Sequence, residues 1–330
     1  MQLINKNFID KVNAENVPLL AALDSAGFLI CATEDVEAFK SRMHKLLERY
    51  EGFEKELAEK GSIKVFEEYE LKAGDRIPPE IMAEASALTE RLFGFSVNWA
   101  PGFFLSQNLS FLWGGCAITD PDEYFTVFLI RSSFAAKPRW FIYRREELLA
   151  HELCHAARMV LNDACYEEHF AYMTASSRLR KYIGNCFQTK YDAILFILPV
   201  FILLAAVSFQ TFFMPDFPSS PFWMLAFVYP LFLLIRNHFQ RKTYFAAHSL
   251  LSACGCAHPR AVLFRCSTME IKQIAAYRKT PHEWSSQLNS MAEKSLKWRV
   301  IKYRFFDNGE PAAIFNDNVY TEDNDHGYAQ

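Results

Sequence analysis

The longest apolar run of the chain covers residues 193–214 and limits how the rest of the chain can fold. Its only strongly polar members are Ser208, Gln210 and Thr211. As an α-helix of about 22 residues, the run is long enough to cross the ~30 Å hydrocarbon core of a bilayer. Pro199 lies inside it, and membrane helices tolerate an internal proline better than soluble helices do. The pattern therefore predicts a transmembrane helix.

A second apolar run, residues 222–235, follows a turn-like segment rich in Pro and Ser. As a helix it would measure roughly 21 Å, which is short for a crossing, and Pro230 interrupts it. Basic residues flank the pair of runs, whereas the segment between them contains no Lys or Arg. These flanking residues are Arg178, Arg180, Lys181, Lys190, Arg236, Arg241 and Lys242.

By the positive-inside rule, these flanks predict a hairpin over residues 192–236 with both ends in the cytoplasm. The chain is then an integral membrane protein, of the inner or cytoplasmic membrane in a bacterium. The composition argues against a nucleic-acid-binding protein and against a secreted one. A net charge of -3 provides no basic face for nucleic acid. Eight Cys without a regular framework and an N-terminus without a secretory pattern favour reduced thiols in the cytosol.

Periodicity and capping signals give a coarse order of elements. Helices are predicted at residues 1–60, 79–93, 144–161, 166–177, 243–253, 267–277 and 282–303. Aromatic and β-branched runs predict strands at 124–131 and 140–143. The expected organisation is an N-terminal helical region at 1–94, a catalytic core at 95–191, the hairpin at 192–236, a C-terminal helical region at 237–306 and an acidic disordered tail at 307–330.

The motif His-Glu-Leu-Cys-His at residues 151–155 lies in the third of these predicted helices, residues 144–161. His151 and His155 are one turn apart on the same helix face, so that both imidazoles can bind one Zn²⁺. Glu152 would point beside the open coordination position and take a proton from a metal-bound water. Cys154 should point away from the metal and pack as a small apolar residue.

About a dozen residues later comes Tyr-Glu-Glu-His-Phe-Ala-Tyr at 166–172. The motif followed on the next helix by Glu168-His-Phe-Ala resembles the gluzincin metallopeptidases, such as thermolysin and the aminopeptidase N type enzymes. The resemblance covers about residues 95–177, with a shorter gap between the helices than in thermolysin and with Glu167 in the place of an Asn. It implies that Glu168 is the third zinc ligand, although Glu167 shares a face with Phe170 and remains an alternative.

The resemblance also implies an α+β fold, with a zincin-like catalytic domain attached to the transmembrane hairpin. In such enzymes a strand before the motif helix forms the edge of the sheet and pairs with an extended peptide substrate. Residues 124–131 are the first candidate for that strand, and residues 140–143 are closer in sequence. A His or Tyr stabilises the oxyanion in this family. The candidates, which the sequence does not rank, are His169, Tyr172, Tyr244 and His248.

Simpler interpretations exist for several of these residues. The motif could be an exposed polar helix face, and Glu167 and Glu168 could be solvated residues at a helix start, favoured by the dipole. A second zinc site would have to use unusually spaced ligands. Those ligands are Cys254, Cys256, His258 and Cys266.

The function predicted by these features together is that of a membrane-anchored zinc metallopeptidase, which hydrolyses peptide bonds through a zinc-bound hydroxide with Glu152 as general base. Its metal ligands would be His151, His155 and Glu168, and its partners protein or peptide substrates, including membrane-associated ones. Two alternatives are a non-enzymatic membrane adaptor with a decayed metallopeptidase fold and a zinc hydrolase acting on a non-peptide amide.

Overall fold

The computed structural model describes residues 6–65, 69–105, 113–120, 122–277 and 281–312. It is 66% helical with small sheets. The prediction of a mixed helix and sheet fold with two apolar helices long enough to cross a membrane is therefore confirmed.

The first hundred residues form helices around a short β-hairpin. The elements are α1 (Lys6–Asp10), α2 (Val17–Ser25), α3 (Val36–Lys60), β1 (Ser62–Val65), β2 (Tyr69–Lys72) and α4 (Pro79–Phe93). Helix α4 begins and ends where the sequence predicts. Pro79 occupies its first turn, and Gly94 ends it in the left-handed conformation with φ 68°. The hairpin interrupts a region that was expected to be wholly helical.

A three-stranded sheet follows, built from β3 (Gly102–Leu105), β4 (Gly115–Asp120) and β5 (Phe125–Arg131). Its order is β3-β5-β4, with β3 parallel and β4 antiparallel to β5. The strand predicted at 124–131 is present, but its proposed position at the edge is wrong because β5 has a neighbour on each side. Six of the seven β5 residues are buried, as expected of a central strand.

After the sheet come α5 (Ser133–Ala136), β6 (Arg139–Trp140), β7 (Tyr143–Arg144), α6 (Arg145–Arg158), α7 (Ala164–Ala171) and α8 (Arg178–Ile183). The strand predicted at 140–143 is instead a tight hairpin, because Phe141 takes a left-handed conformation with φ 50° and reverses the chain. The single helix predicted at 166–177 ends earlier. A 3-10 turn follows α7, and a new helix begins after Ser177.

Two long helices then lie against each other, α9 (Lys190–Phe212) and α10 (Ser220–Ala253). By length and composition both can cross a membrane. Helix α10 has 34 residues and runs through Pro230 without ending, so the separate helix predicted at 243–253 is its continuation. Apolar side chains of both helices are exposed over most of their length.

The chain ends in α11 (Pro259–Phe264), α12 (Thr268–Ala276), α13 (Pro281–Lys294) and α14 (Leu296–Phe305). The capping box of Ser267 and Glu270 begins α12 as predicted. The predicted helix at 282–303 is divided in two at Ser295. Most of the predicted tail, residues 313–330, lies outside the described residues.

The segments before and after the two long helices pack into one core. Helix α14 contacts α2, and α11 contacts α4. A buried ion pair joins the two ends of the chain, since Arg265 Nε donates to Asp24 Oδ2 at 2.8 Å. Helix α6 lies inside this core, against α4, α7 and the strands β4 and β5. The core therefore holds the motif helix rigidly on several sides.

Candidate metal centre

Three side chains from α6 and α7 converge on one point. His151, His155 and Glu168 each offer a ligand atom, and these atoms lie within 4.8 Å of one another. The Nε2 atoms of the two His are 3.1 Å apart. Glu168 Oε2 lies 3.6 Å from His151 Nε2, and Glu168 Oε1 lies 3.6 Å from His155 Nε2. This partly buried group could hold a metal ion.

The spacing of these atoms can be compared with metal geometry. Two ligand atoms at 2.0–2.1 Å from a tetrahedral Zn²⁺ are about 3.3–3.4 Å apart. The two Nε2 atoms, 3.1 Å apart, are close to that value, and each lies 3.6 Å from a different oxygen of Glu168. The three residues are therefore near enough to one another to hold a small cation.

Glu167 takes a different place from Glu168, its neighbour on α7. Its Oε1 lies 3.0 Å from Nδ1 of His155, the ring nitrogen that faces away from the cluster. Arg158 Nε donates to the other oxygen, Glu167 Oε2, at 3.2 Å. A carboxylate on the far nitrogen of a metal-binding His fixes the ring orientation and the tautomer. Of the two carboxylates, Glu168 faces the cluster and Glu167 orients His155.

Arg158 connects this arrangement to the C-terminal part of the chain. Its side chain is fully buried and also donates to Asp163 Oδ2 at 3.1 Å. Two backbone carbonyls beyond α10, those of Phe264 and Cys266, accept from its Nη1. The orientation of His155 thus depends on residues more than a hundred positions away in sequence.

Burial and neighbouring charges alter the protonation of the site. Burial lowers the pKa of His151 well below its ordinary value, with the charge of His155 adding to the effect. Burial also acts to lower the pKa of His155, but the hydrogen bond to Glu167 and the charges of Glu152 and Glu168 raise it to about 9. Burial raises the pKa of Glu168. A cation in the cluster would offset the concentration of carboxylates around His155.

Glu152 lies beside the cluster and is not one of its three members. Its carboxylate is 7% exposed, and burial raises its pKa. The backbone N–H of Ala117 in β4 donates to Glu152 Oε2 at 2.8 Å. This hydrogen bond ties the side chain to the edge of the sheet.

Strand β4 has a free edge next to Glu152. The N–H of Arg131 donates to the carbonyl of Gly114, so residues 114, 116 and 118 bond towards β5. The alternate residues, 115, 117 and 119, direct their backbone groups the other way, as the bond from Ala117 shows. No other strand pairs with this edge within the described part of the chain. This strand, rather than 124–131, has the position expected of a substrate-binding edge.

The four residues that were candidates for stabilising the oxyanion differ in their position relative to the cluster. The Tyr172 ring lies 4.7 Å from the His151 ring, centroid to centroid, and is the one that touches the cluster. His169 is 1% exposed and packs against Tyr244 with ring centroids 4.6 Å apart. His248 lies beyond Tyr244 on α10. Only Tyr172 is close enough to face a group bound at the cluster.

Two simpler expectations can also be compared with the structure. Cys154 is fully buried, which confirms its interpretation as a packing residue. The residues at 254–266 do not form a second cluster, because the described residues contain one metal-binding group, that of His151, His155 and Glu168. Cys266 Sγ instead donates to the carbonyl of Val262.

Sequence reasoning missed the partners that position the site, namely Arg158, Asp163 and the amide of Ala117. Arg158 follows His155 by three positions and therefore shares its helix face, which is a signal that the sequence contains. The role of Ala117 leaves no signal in its residue type, since the contact is through the backbone. No protein-family model, curated protein or solved structure matches the chain.

Proposed function

We propose that the chain is a membrane-anchored zinc metallopeptidase of the gluzincin type, with a zincin-like catalytic domain in the cytoplasm. The observation that carries this proposal is the convergence of His151, His155 and Glu168 beside a buried Glu152. Two imidazoles and one carboxylate are a ligand set that catalytic zinc uses, with its fourth position left for water or substrate.

The proposed chemistry assigns a separate task to each group. Zinc, when bound, acts as a Lewis acid that lowers the pKa of water and polarises a carbonyl. Glu152 accepts a proton from the attacking water and returns it to the leaving amine. Its raised pKa suits a carboxyl group that must hold a proton for part of the cycle. The hydrogen bond from the N–H of Ala117 holds Oε2 of Glu152 in place and leaves Oε1 of Glu152 to carry the proton.

The substrate in this proposal is a peptide in extended conformation. The outward backbone groups of residues 115 and 119 on β4 would pair with it, on either side of the Ala117 amide that holds Glu152. Main-chain pairing provides affinity without requiring a particular side chain. Tyr172, against the His151 ring, is the residue that would stabilise the oxyanion.

The deciding experiment is the Glu152→Gln variant, measured for zinc content and for hydrolysis of a peptide library. We expect zinc to stay bound, because Glu152 is not a ligand, and hydrolysis to fall by ~10²–10⁴-fold. The matched control is Glu146→Gln on the same helix, whose partner is Arg144 at 2.6 Å and which should change neither quantity. Wild-type turnover by Glu152→Gln would contradict the mechanism. A wild-type protein that binds zinc and cleaves only small amides would favour the non-peptide hydrolase.

A further inference from the structure

Helix α8 has its apolar face turned outward. Leu179, Tyr182 and Ile183 are spaced at i, i+3 and i+4 and therefore share one face. They are 66%, 38% and 41% exposed, respectively. A helix on the surface of a soluble domain buries such a stripe against the core. The exposed stripe on α8 therefore indicates a surface that another apolar phase covers.

This face continues directly into the surface of the two long helices. Phe187, 39% exposed, follows α8 and packs against Phe196 of α9 with ring centroids 5.4 Å apart. Asn237 Nδ2 on α10 donates to the carbonyl of Tyr182 at 2.7 Å. Asn237 directly follows Arg236, which pairs with Asp192 at 2.8 Å, where α9 begins and the apolar run of α10 ends. Helix α8 thus lies at the level where α9 and α10 would leave a bilayer.

The charges around the stripe suit a lipid headgroup layer. The Arg241 guanidinium lies 5.2 Å from the Tyr182 ring centroid and 5.5 Å from that of Phe245. Arg178 and Lys181 belong to α8 itself. Long basic side chains over apolar surface are typical of an interface, where the charge reaches the headgroups and the carbon chain stays in apolar surroundings.

We propose that the α8 face of Leu179, Tyr182 and Ile183 lies in the headgroup region of the same leaflet from which α9 and α10 emerge. The tip of the β6-β7 hairpin, with Phe141 and Ile142 64% and 54% exposed, is a second contact. Arg180 on α8 joins the two elements, since its guanidinium lies 5.5 Å from the Tyr143 ring centroid. The occupant of this surface is lipid.

The proposed contact of α8 with lipid determines the position of the metal cluster relative to the membrane. Arg180, which follows Leu179 on α8, donates to Glu147 Oε2 at 3.1 Å. Glu147 is one turn before His151 on α6. The cluster is therefore about one helical turn from Glu147, a buried residue that is in direct contact with α8. The substrates favoured by this position are segments of membrane proteins that emerge from the cytoplasmic leaflet, an inference that rests on the proposed function.

Photo-crosslinking in reconstituted full-length protein tests the lipid contact. p-Benzoylphenylalanine is introduced singly at Leu179, Ile183, Phe201 and Lys55, and phospholipid adducts are measured by intact mass. Phe201 on α9, 63% exposed, tests whether the two long helices contact lipid. Lys55 on α3, with its side chain 78% exposed, is the control for a surface that faces water. We expect adducts at Leu179, Ile183 and Phe201 and none at Lys55.

Other patterns of crosslinking would contradict either the lipid contact of α8 or the membrane anchoring of the whole chain. Adducts at Phe201 alone would leave the spans in the bilayer and remove α8 from it. Absence of adducts at all four positions would overturn the membrane anchoring itself. A covalent protein dimer at Leu179 or Ile183 would assign the face to a second copy of the chain.

The substrate class has its own test, which separates failure of the position from failure of the function. The double variant Leu179→Ser with Ile183→Ser is compared with wild type on one peptide sequence, presented free in solution and anchored to phosphatidylglycerol-containing vesicles. We expect zinc content and free-peptide cleavage to stay within about twofold and cleavage of the anchored peptide to fall about tenfold, given the apolar area withdrawn from lipid. An equal effect on both peptides would overturn the substrate class, whereas a wild-type protein that cleaves neither peptide would overturn the proposed peptidase.

Discussion

Helices α6 and α9 depart from the usual distribution of polar and apolar residues in opposite ways. Helix α6 buries charged side chains, with Glu147, Glu152 and Arg158 at 3%, 7% and 0% exposed. Helix α9 exposes apolar side chains such as Ile194 and Leu204, at 57% and 60%. In a soluble domain buried charges are paired, and large exposed apolar surfaces mark interaction sites. Glu147 is paired with Arg180, and Arg158 is paired with Asp163 and Glu167. The features that indicate a partner outside the polypeptide are therefore the cluster of ligand atoms beside Glu152 and the exposed apolar surface of α9.

The two helices indicate different kinds of partner, because one contains ligand atoms that converge on a point and the other contains an extended apolar surface. Beside the buried Glu152 of α6, ligand atoms of His151, His155 and Glu168 converge on a point that a single cation could occupy. The apolar residues of α9 surround the whole helix over its 23 residues, which requires an extended apolar phase. One helix thus indicates an ion and the other a bilayer. Deletion of the two long helices should therefore affect membrane retention, and substitutions at the cluster should affect zinc binding.

The largest expected effect is on membrane retention. A variant lacking residues 192–236 should be released by alkaline carbonate, whereas the full chain should stay in the membrane fraction. The ends of the deletion lie side by side, since Asp192 Oδ2 and Arg236 Nη2 are 2.8 Å apart, so a short Gly linker can replace the segment. Carbonate release of the full chain would show that α9 and α10 are covered by protein rather than lipid.

The same region allows a test of orientation. A Cys placed at Ser219, between the two helices, should react with a thiol reagent that cannot cross the bilayer, and a Cys at Ser177 should not. Reaction of the unmodified chain, which has eight free Cys, provides the baseline. The opposite pattern would place the metal cluster outside the cytoplasm.

The next largest effect concerns the metal itself. Glu168→Ala should reduce zinc affinity by more than ~100-fold, because it removes a direct ligand rather than a residue that orients one. Zinc content after dialysis against a buffered zinc concentration measures it, and Glu168→Asp is the conservative comparison. Loss of metal in Glu167→Ala alone would show that the third ligand had been assigned one residue too far along the chain.

A smaller effect is expected for Glu167→Gln. The carboxamide can still accept from or donate to His155 Nδ1, which lies 3.0 Å from Glu167 Oε1, but the charge that faces Arg158 is lost. Zinc affinity should fall by ~10–100-fold, as for other residues that orient a metal-binding His. Isothermal titration with zinc measures the change. An unchanged affinity would mean that the charge of Glu167 does not contribute to holding the His155 ring.

The two helices were also predictable from sequence to different degrees. The apolar residues of α9 are contiguous, so their number alone predicts a helix long enough to span a bilayer. The His pair of α6 is fixed by helix periodicity and was equally predictable. What the sequence did not indicate is the continuity of α10, because Pro230 is a helix-breaking signal and the loss of one hydrogen bond is tolerated in a long packed helix.

The prediction that residues 124–131 form an edge strand is wrong for a related reason. Strand β5 has the strongest β pattern of the chain, and a strong apolar run marks a central strand, buried on both faces, rather than an edge. The edge strand next to Glu152, β4, begins at Gly115, where an added Cβ would lie 2.7 Å from the carbonyl oxygen of Leu129. Its residues are mixed in character and half-buried, so only pairing with β5 identifies it.

Helix α3 buries one charged side chain, Arg42, which is paired with Glu34 at 2.7 Å, and this helix supplies the smallest predicted effect. Its buried residues are mainly apolar, and its N-cap, Asp35, accepts from the N–H of Ala38 at 2.8 Å. Asp35→Ala should therefore cost only about 1 kcal/mol of stability, the usual contribution of an N-cap, and Asp35→Asn should be nearly neutral. Thermal unfolding measures both variants, with and without zinc and in two lipid compositions. The destabilisation should be the same in all conditions, because α3 depends on neither the ion nor the bilayer. A zinc-dependent difference would show that α3 is coupled to the metal cluster, and the contrast between α6 and α9 would then extend to a helix whose buried charge is paired within the chain.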